Sequence, residues 1–299
     1  MRRMLWCGFV VASQLALSCS SESRTASSLP TATDYATSIV TTSTERPAPT
    51  SSSSTSTSTS STSTSTSTST STSTSTTTAA ESLVTETRVI GQSVQGRDIT
   101  AYRMGDPTGR PVLLIGVIHG NEAKGYGITQ LIRTMTTPPG IDLWIIDSIN
   151  PDGQAADTRE NANGVDLNRN VSYNWNYIPK SVDEHQYSGE APADQPETQA
   201  LEAFVEEIQP TITIFWHQDA NRVSPGGARR EIPERFAAIV SLSTASTPCT
   251  AGCTGTATQY VNHAVKGGTA FIVELPGNDE VTPAMVELHA EATLEVITL

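Results

Sequence analysis

The hydrophobic residues follow two alternating patterns over residues 83–299. Four runs are almost continuously apolar, as in strands buried on both faces of a sheet; they are 112–118, 141–146, 211–216 and 269–274. Helical spacing of apolar residues predicts helices over 122–135 and 196–208. Further helices are expected over 232–242, 256–264 and 282–294. Two shorter strands joined by a Gly-containing turn are expected within 89–102. This alternation predicts an α/β fold with three layers, α/β/α, around a mixed, largely parallel central sheet.

The segment 148–193 is long and irregular. An irregular segment of this length in a compact domain usually has a function, because an ordinary connection needs only a few residues. We therefore expect part of the functional site to lie in it.

The first part of the chain predicts no packed core. Residues 50–78 are all Ser or Thr, and their neighbours are rich in Ser, Thr, Ala and Pro. A segment without apolar side chains cannot offset the entropy cost of ordering. We therefore expect residues 19–82 to be a disordered Ser/Thr-rich stalk, and residues 83–299 to be the folded domain.

Residues 1–18 have the pattern of an export signal: two arginines, then an apolar core over 5–17 that is too short to span a bilayer. Cys19 directly after the cut is typical of a bacterial lipoprotein, which would anchor the domain at the cell envelope. Ala16 and Ser18 also suit an ordinary signal peptidase, and the alternative to the lipid anchor is therefore a secreted protein. In an oxidising compartment Cys249 and Cys253 could form a disulfide, or they could be free thiols.

The charge excludes one class of partner. The net charge is −13, and the first 84 residues contain equal numbers of basic and acidic side chains. The predicted folded domain is therefore acidic, and we expect no binding to nucleic acid or to anionic membranes by charge. Contact with a membrane is expected only through a lipid on Cys19.

Three residues at strand ends suggest a metal site. His119 and Glu122 follow the apolar run 112–118, and His217 ends the run that begins at 211. Two imidazoles and one carboxylate leave a zinc ion with one open position. The spacing of His119 and Glu122 is weak when taken alone. Glu274, also at the end of an apolar run, could equally be a capping or surface residue.

Six motifs occur in order along residues 85–299: H-G-N-E, N-P-D-G, T-R-E-N, G-V-D-L-N-R-N, W-H-Q and F-I-V-E-L-P. In this set the chain resembles the zinc carboxypeptidase family, the carboxypeptidase A type, and within it the small bacterial murein peptide amidases. The resemblance implies a zinc metallopeptidase fold and activity. It implies a peptide substrate, from cell-wall peptidoglycan (murein), cut at an amide bond next to a carboxylate-bearing residue.

The resemblance also implies roles for individual residues. His119, Glu122 and His217 would bind one Zn²⁺ that activates water, and Glu274 would act as general acid and base. Arg159 would stabilise the developing oxyanion. Asn168 and Arg169 would hold the terminal carboxylate of the substrate, for which the fork of a guanidinium is well suited.

Other interpretations stay open at this point. Arg159 and Arg169 could be loop arginines that pair with acidic residues. The N-P-D-G motif is a turn signal in any protein, so Asn150 and Asp152 are expected to be structural. Tyr260 lies closer to Glu274 than the mobile tyrosine of digestive carboxypeptidases lies to its glutamate, so that role is not transferred. The aromatic residues of the long loop could form a substrate wall or fix the loop; they are Tyr173, Trp175 and Tyr177.

Two other functions compete with peptide hydrolysis. N-acyl amino-acid deacylases of the succinylglutamate desuccinylase and aspartoacylase type share H-G-N-E and D-L-N-R, although F-I-V-E-L-P, N-P-D-G and the export signal argue against them. A stalked, zinc-containing protein that binds the wall without catalysis is the third possibility. The presence of Glu274 and both arginines argues against that function.

Overall fold

The structure is a computed structural model of the 299-residue chain, and it describes residues 83–249 and 252–299. The predicted signal peptide (1–18), the predicted stalk (19–82) and Cys19 therefore lie outside the described residues. Within the described part, no helix is both long and apolar enough to cross a membrane.

The described residues form one eight-stranded sheet with the strand order β1-β2-β4-β3-β5-β8-β6-β7. The strands are β1 (Val84–Gln92), β2 (Asp98–Gly105), β3 (Arg110–Ile115), β4 (Ile141–Ile146), β5 (Ile212–Gln218), β6 (Arg222–Ser224), β7 (Ser243–Thr244) and β8 (Thr269–Leu275).

The four apolar runs of the sequence form the centre of this sheet. β4, β3, β5 and β8 are neighbours and run parallel to one another. Antiparallel pairing occurs between β1 and β2, between β2 and β4, and between β6 and β8. The sheet is therefore mixed with a parallel centre, as predicted, and apolar side chains cover both faces of the central strands because both faces are buried.

Helices pack on both faces of the sheet. The helices are α1 (Lys124–Ile132), α2 (Pro151–Ala156), α3 (Leu167–Asn170), α4 (Pro196–Ile208), α5 (Glu231–Ile239), α6 (Ala257–Ala264) and α7 (Pro283–Val296). α1, α5 and α7 contribute to one apolar cluster, which includes Ile128, Phe236 and Val296. α3, α4 and α6 contribute to the other, which includes Phe204 and Val261. The three-layer α/β/α prediction is confirmed.

The structure adds elements that the hydrophobic pattern did not reveal. The segment 148–193 contains α2, α3 and a short 3₁₀ turn, Glu184–Gln186. β6 and β7 have three and two residues, too few to produce a period in the sequence. β3 ends at Ile115, but the backbone beyond it still accepts a hydrogen bond, from Ile149 N to Val117 O at 2.9 Å.

The N-P-D-G motif starts a helix. Asn150 is the N-cap of α2: its side chain accepts a hydrogen bond from Gly153 N at 2.9 Å and donates one to Ile118 O at 3.1 Å. Asp152 is buried and accepts hydrogen bonds from Ser93 Oγ and from the backbone of Gln95, both at 2.8 Å. Both residues therefore hold α2 in place, in agreement with the structural role expected from the sequence.

We predict that Asp152→Ala lowers the free energy of unfolding by about 2–3 kcal/mol, because it leaves a buried hydroxyl and a backbone N–H without their acceptor. The measurement is urea unfolding followed by tryptophan fluorescence. Asp98→Ala is the control, because Asp98 is an exposed carboxylate on β2. It should change the free energy of unfolding by less than about 0.5 kcal/mol. Equal effects of the two variants would contradict this role for Asp152.

His289 gives the fold a pH dependence. It is 2% exposed in α7, its ring lies edge-on to Phe236, and its Nδ1 has no hydrogen-bond partner among the described residues. Burial lowers the pKa of His289 to about 4. The unfolded chain therefore takes up this proton first as the pH falls.

We therefore predict that the contribution of His289 to stability is complete above pH 6.5 and is lost between pH 6.5 and pH 4. The total loss should be about 3 kcal/mol. In His289→Leu this part of the pH dependence should disappear, as measured by urea unfolding at a series of pH values. An unchanged slope in the variant would show that His289 does not titrate as its burial implies.

Candidate metal centre

The turn after β3 and the end of β5 bring three side chains together. His119 and Glu122 lie in the turn that connects β3 to α1, and His217 is near the end of β5. Gly120 allows this turn to approach α2, because a Cβ at position 120 would lie 2.0 Å from the carbonyl carbon of Gly153. The glycine of the H-G-N-E motif is therefore required by packing.

The potential ligand atoms of these residues converge. Glu122 Oε1 lies 2.9 Å from His119 Nδ1, and Glu122 Oε2 lies 2.9 Å from His217 Nδ1. The two Nδ1 atoms are 3.1 Å apart. Among the described residues, His119, Glu122 and His217 are a group of His, Cys, Asp or Glu side chains that could hold a metal ion.

Asp166 determines the orientation of the His119 ring. Its Oδ1 lies 3.1 Å from His119 Nε2, and its carboxylate also accepts hydrogen bonds from Arg159. Because a carboxylate only accepts, Nε2 of His119 bears a proton, and the lone pair of neutral His119 is on Nδ1. That lone pair is directed at Glu122 and His217, so the histidine presents a ligand atom to the centre of the group.

The charges of the site favour a cation. Burial opposes ionisation of Glu122, but His119 and His217 outweigh burial and hold the pKa of Glu122 well below its usual range. Burial also opposes ionisation of Asp166, yet Arg159 and His119 keep the pKa of Asp166 low. Burial and Arg159 lower the pKa of His119, and Glu122 and Asp166 raise it to a net value above the ordinary one. Two ionised carboxylates therefore favour a positive charge within the His119–Glu122–His217 group, which a proton or a metal ion can supply.

These residues fit zinc. Two imidazole nitrogens and a carboxylate are donors that Zn²⁺ accepts, and three protein ligands leave one position open. A zinc ion would bind the lone pair of His119 Nδ1 and the Nδ1 atom of His217 that faces it. Asp166 behind His119 is the type of partner that fixes a ligand histidine.

A cavity of about 590 Å³ opens beside the three residues. Its lining includes Glu274, Arg159, Asn168 and Arg169 together with the His–Glu–His group. Glu274 reaches this position because β5 and β8 pair in register, with His217 opposite Glu274. The structure therefore brings all seven residues that were singled out from the sequence to one cavity.

Arg159 connects the metal group to its surroundings. Its Nη1 lies 2.9 Å from Glu122 Oε1 and 3.1 Å from His119 Nδ1, and its Nη2 donates to Asp166 Oδ2 at 2.8 Å. Its side chain is 22% exposed, so it is accessible from the cavity. Pairing with acidic residues, the alternative interpretation of Arg159, is thus also present, with carboxylates that belong to the site.

Arg169 is buried at the cavity and donates to neutral groups. Its Nη1 donates to Asn168 O at 2.7 Å, and its Nη2 donates to Gln186 Oε1 at 2.8 Å. Its Nε has no hydrogen-bond partner in the described part of the chain. Asn168 accepts a hydrogen bond from Ala257 N at 2.9 Å through Oδ1, so its amide nitrogen is the group left for a ligand.

The sequence did not reveal several residues of the site. Gln186 holds Arg169, and Thr247 Oγ1 donates to Glu274 Oε1 at 3.1 Å. The role of Asp166 was also not readable from its motif. Polar residues of these types are common in loops, and only the three-dimensional contacts distinguish them.

Other aromatic residues lie away from the cavity. Tyr260 is buried, and its hydroxyl donates to Glu206 Oε1 at 3.1 Å, next to a second cleft. Trp175 Nε1 donates to Ser188 O at 3.1 Å, so Trp175 fixes the long loop. Tyr173 stacks on His263 with ring centroids 3.9 Å apart. The lining of the 590 Å³ cavity includes none of these residues.

Cys249 and Cys253 are joined by a disulfide. Of the two possibilities that the sequence left open, disulfide or free thiols, the structure has the disulfide. Both cysteines line the cavity that contains Glu274.

Comparison with known proteins assigns the chain to a family. A family model for zinc carboxypeptidases matches residues 70–278. Murein peptide amidase A of Escherichia coli (strain K12) is 29% identical over 141 residues, which cover 44% of this chain and 58% of that protein. Murein peptide amidase A of Vibrio campbellii is 27% identical over 150 residues, covering 46% of this chain and 60% of that protein. The matches thus span less than two thirds of the length of these relatives.

Solved structures agree with the fold. The murein-tripeptide amidase of Escherichia coli O157 superposes with a TM-score of 0.57 at 25% identity, covering 70% of this chain and 91% of that structure. Carboxypeptidase A of Helicoverpa armigera superposes with a TM-score of 0.59 at 21% identity, covering 72% of this chain and 67% of that structure. The family model matches more than half of the chain, and the fold agrees. The chain belongs to the zinc carboxypeptidase family.

Proposed function

We propose that this protein is a zinc-dependent peptidase that hydrolyses an amide bond next to a carboxylate-bearing residue, in murein peptides. The observation that supports it most is the common cavity of the His119–Glu122–His217 group, Glu274 and Arg169. A metal site, a carboxylate base and a buried cation are the parts that this reaction needs, and they line one space of suitable size for a peptide end.

Each side chain has a task in this proposal. His119, Glu122 and His217 hold one zinc ion, which when bound supplies a Lewis acid that acidifies water and polarises the scissile carbonyl. Glu274 removes the proton of the attacking water with a carboxylate oxygen and delivers it to the leaving nitrogen. Arg159, whose guanidinium is already oriented by Asp166, donates to the oxygen on which negative charge develops.

Arg169 and Asn168 define the end of the substrate. Arg169 is a buried cation at the cavity that donates hydrogen bonds to neutral oxygens, from Asn168 and Gln186. A substrate carboxylate would accept charge-assisted hydrogen bonds from this guanidinium, which are stronger than bonds to neutral oxygens. The amide nitrogen of Asn168 is available to the same carboxylate. We therefore propose a substrate with a free carboxylate close to the scissile bond.

The relatives suggest the type of peptide. Their names describe amidases that act on murein peptides, and such peptides carry several free carboxylates. We propose that this chain cuts an amide beside diaminopimelate, such as the D-glutamyl–diaminopimelate bond, or removes a residue from a peptide end. Export and attachment through Cys19 would place the domain near this substrate, and the predicted stalk would extend its reach.

We predict that Glu274→Gln keeps one zinc ion per chain but lowers kcat for L-Ala-γ-D-Glu-diaminopimelate by about 10²–10⁴-fold, because only the proton carrier is lost. His217→Ala should lose both zinc and activity. Zinc content is measured by elemental analysis of the full chain, and cleavage by mass spectrometry with and without chelator.

Glu280→Gln, at an exposed carboxylate in the turn after β8, is the matched control and should behave as the parent. Hydrolysis of N-acyl amino acids but of no peptide would instead favour the deacylase function. A parent protein that binds the tripeptide but never cleaves it, with or without zinc, would favour a wall-binding protein and overturn the proposal.

We predict that Arg169→Lys raises KM by about 10–100-fold for peptides with a free terminal carboxylate, since a lysine cannot form the two parallel hydrogen bonds of a guanidinium. The same variant should have little further effect on the corresponding peptide amide, which lacks the charge. Arg230→Lys, at the exposed N-cap residue of α5, is the control. An equal loss for acid and amide would show that Arg169 does not bind the carboxylate.

A further inference from the structure

The Glu274 carboxylate is held by a neighbouring hydroxyl. The strand β8 fixes the backbone of Glu274, but its side chain has three torsions that the strand does not determine. In the described part of the chain, this carboxylate has one hydrogen bond, from Thr247 Oγ1 to Oε1 at 3.1 Å. Glu274 is 5% exposed, so water competes little for that bond.

Thr247 follows β7 in the chain and contacts Glu274 on β8. β6 pairs antiparallel with β8, with Arg222 opposite Glu274. The chain around Thr247 lies against β6 through two hydrogen bonds: Ala245 N donates to Val223 O at 3.0 Å, and Thr247 N donates to Ser224 Oγ at 3.3 Å. The position of the Thr247 hydroxyl is therefore fixed by β6, the strand that pairs with β8.

The disulfide packs on the backbone of Thr247. The sulfur atoms of Cys249 and Cys253 lie 4.0 and 3.9 Å from the Thr247 carbonyl oxygen. Cys253 is in turn bound to α6, because Gln259 Nε2 donates to Cys253 O at 2.8 Å. The cross-link thus joins the segment that contains Thr247 to a helix of the core.

The chain after the disulfide contacts the other end of the cavity. A Cβ on Gly255 would lie 2.3 Å from the carbonyl oxygen of Arg169, so this glycine allows close packing there. Val171 N donates to Gly255 O at 3.3 Å, and Ala257 N donates to Asn168 Oδ1 at 2.9 Å. Residues on the two sides of the disulfide therefore contact Glu274 and the Asn168–Arg169 pair.

We propose that Thr247 is a positioning residue of the reaction: its hydroxyl orients the Glu274 carboxylate, and the Cys249–Cys253 disulfide keeps Thr247 in place. Thr247 itself does not touch the reacting atoms. The hydroxyl donates a hydrogen bond to Oε1, which leaves Oε2 as the oxygen free to exchange a proton with water and with the leaving nitrogen. This inference rests on the proposed function, in which Glu274 is the general base.

The first test compares Thr247→Val, which removes the hydroxyl at nearly constant volume, with Thr247→Ser, which retains it. In the full-length zinc-loaded protein, Thr247→Val should lower kcat for L-Ala-γ-D-Glu-diaminopimelate by about 10-fold, the effect expected for one hydrogen bond to a charged group. KM should change by less than about twofold and zinc content should stay the same, because neither Arg169 nor the metal group is altered. Thr247→Ser should recover most of kcat.

Thr244→Val is the matched control, since Thr244 is exposed on β7 and is absent from the cavity lining. It should leave kcat and KM unchanged. A merely structural role of Thr247 would lower zinc content or stability in both Thr247 variants, and serine would then not restore kcat. That result would overturn the inference.

The second test removes the cross-link with Cys249→Ser and Cys253→Ser together, in the parent and in Thr247→Val. The cysteine variant should lower kcat in the parent but should add no further loss to Thr247→Val, because both changes act on the same hydrogen bond. Losses that multiply would overturn the role of the disulfide.

The two proposals fail in different ways. If the parent and Glu274→Gln cleave the tripeptide equally, or neither cleaves it, the proposed function fails and Thr247 has no base to position. If Glu274→Gln is inert and Thr247→Val is as active as the parent, the proposed function stands and the inference about Thr247 is wrong.

Discussion

The parallel pairing of β3, β5 and β8 is the constraint on which the site depends. Parallel strands end at the same edge of a sheet, and the turn after β3 provides His119 and Glu122 at that edge. The register of β5 with β8 places His217 opposite Glu274. If either strand slipped by one residue, its own side chain, His217 or Glu274, would turn to the opposite face of the sheet. The apolar runs that bury these strands therefore also determine where the polar groups meet.

Electrostatics then decides what such a site can hold. Glu122 and Asp166 are buried, and both have a low pKa because imidazole and guanidinium groups surround them. Two buried carboxylates need positive charge nearby, since burial of an unpaired charge is costly. Arg159 provides one positive charge, and a zinc ion held by His119, Glu122 and His217 would provide two more. Arg169 donates to neutral oxygens, and a negatively charged substrate group would bind it more strongly.

Much of this could be predicted from the sequence. The central strands are apolar runs that alternate with helices, so their burial and their largely parallel pairing follow from the pattern, although the order of the strands does not. The residues of H-G-N-E and D-L-N-R-N meet at the cavity because their motifs lie at strand ends and in the long loop. The glycine at 120 is explained only by the structure, in which α2 leaves no space for a side chain.

The parts that could not be predicted depend on contacts between distant loops. Thr247 lies in a Ser/Thr-rich segment with no period, and its bond to Glu274 joins positions 27 residues apart. Gln186 reaches Arg169 from a short 3₁₀ turn that has no hydrophobic signal. Short strands such as β6 depend on the neighbouring strand for their hydrogen bonds. Composition contains no information about such pairings.

The most direct test of the metal site is X-ray absorption spectroscopy of the zinc-loaded full-length protein at the zinc edge. We predict two imidazole nitrogens at about 2.0–2.1 Å and oxygen ligands at about 2.0–2.2 Å, with no sulfur. The His217→Ala protein should lose this spectrum together with its metal. Sulfur ligands at about 2.3 Å, or the same spectrum in the variant, would contradict a zinc site built from His119, Glu122 and His217.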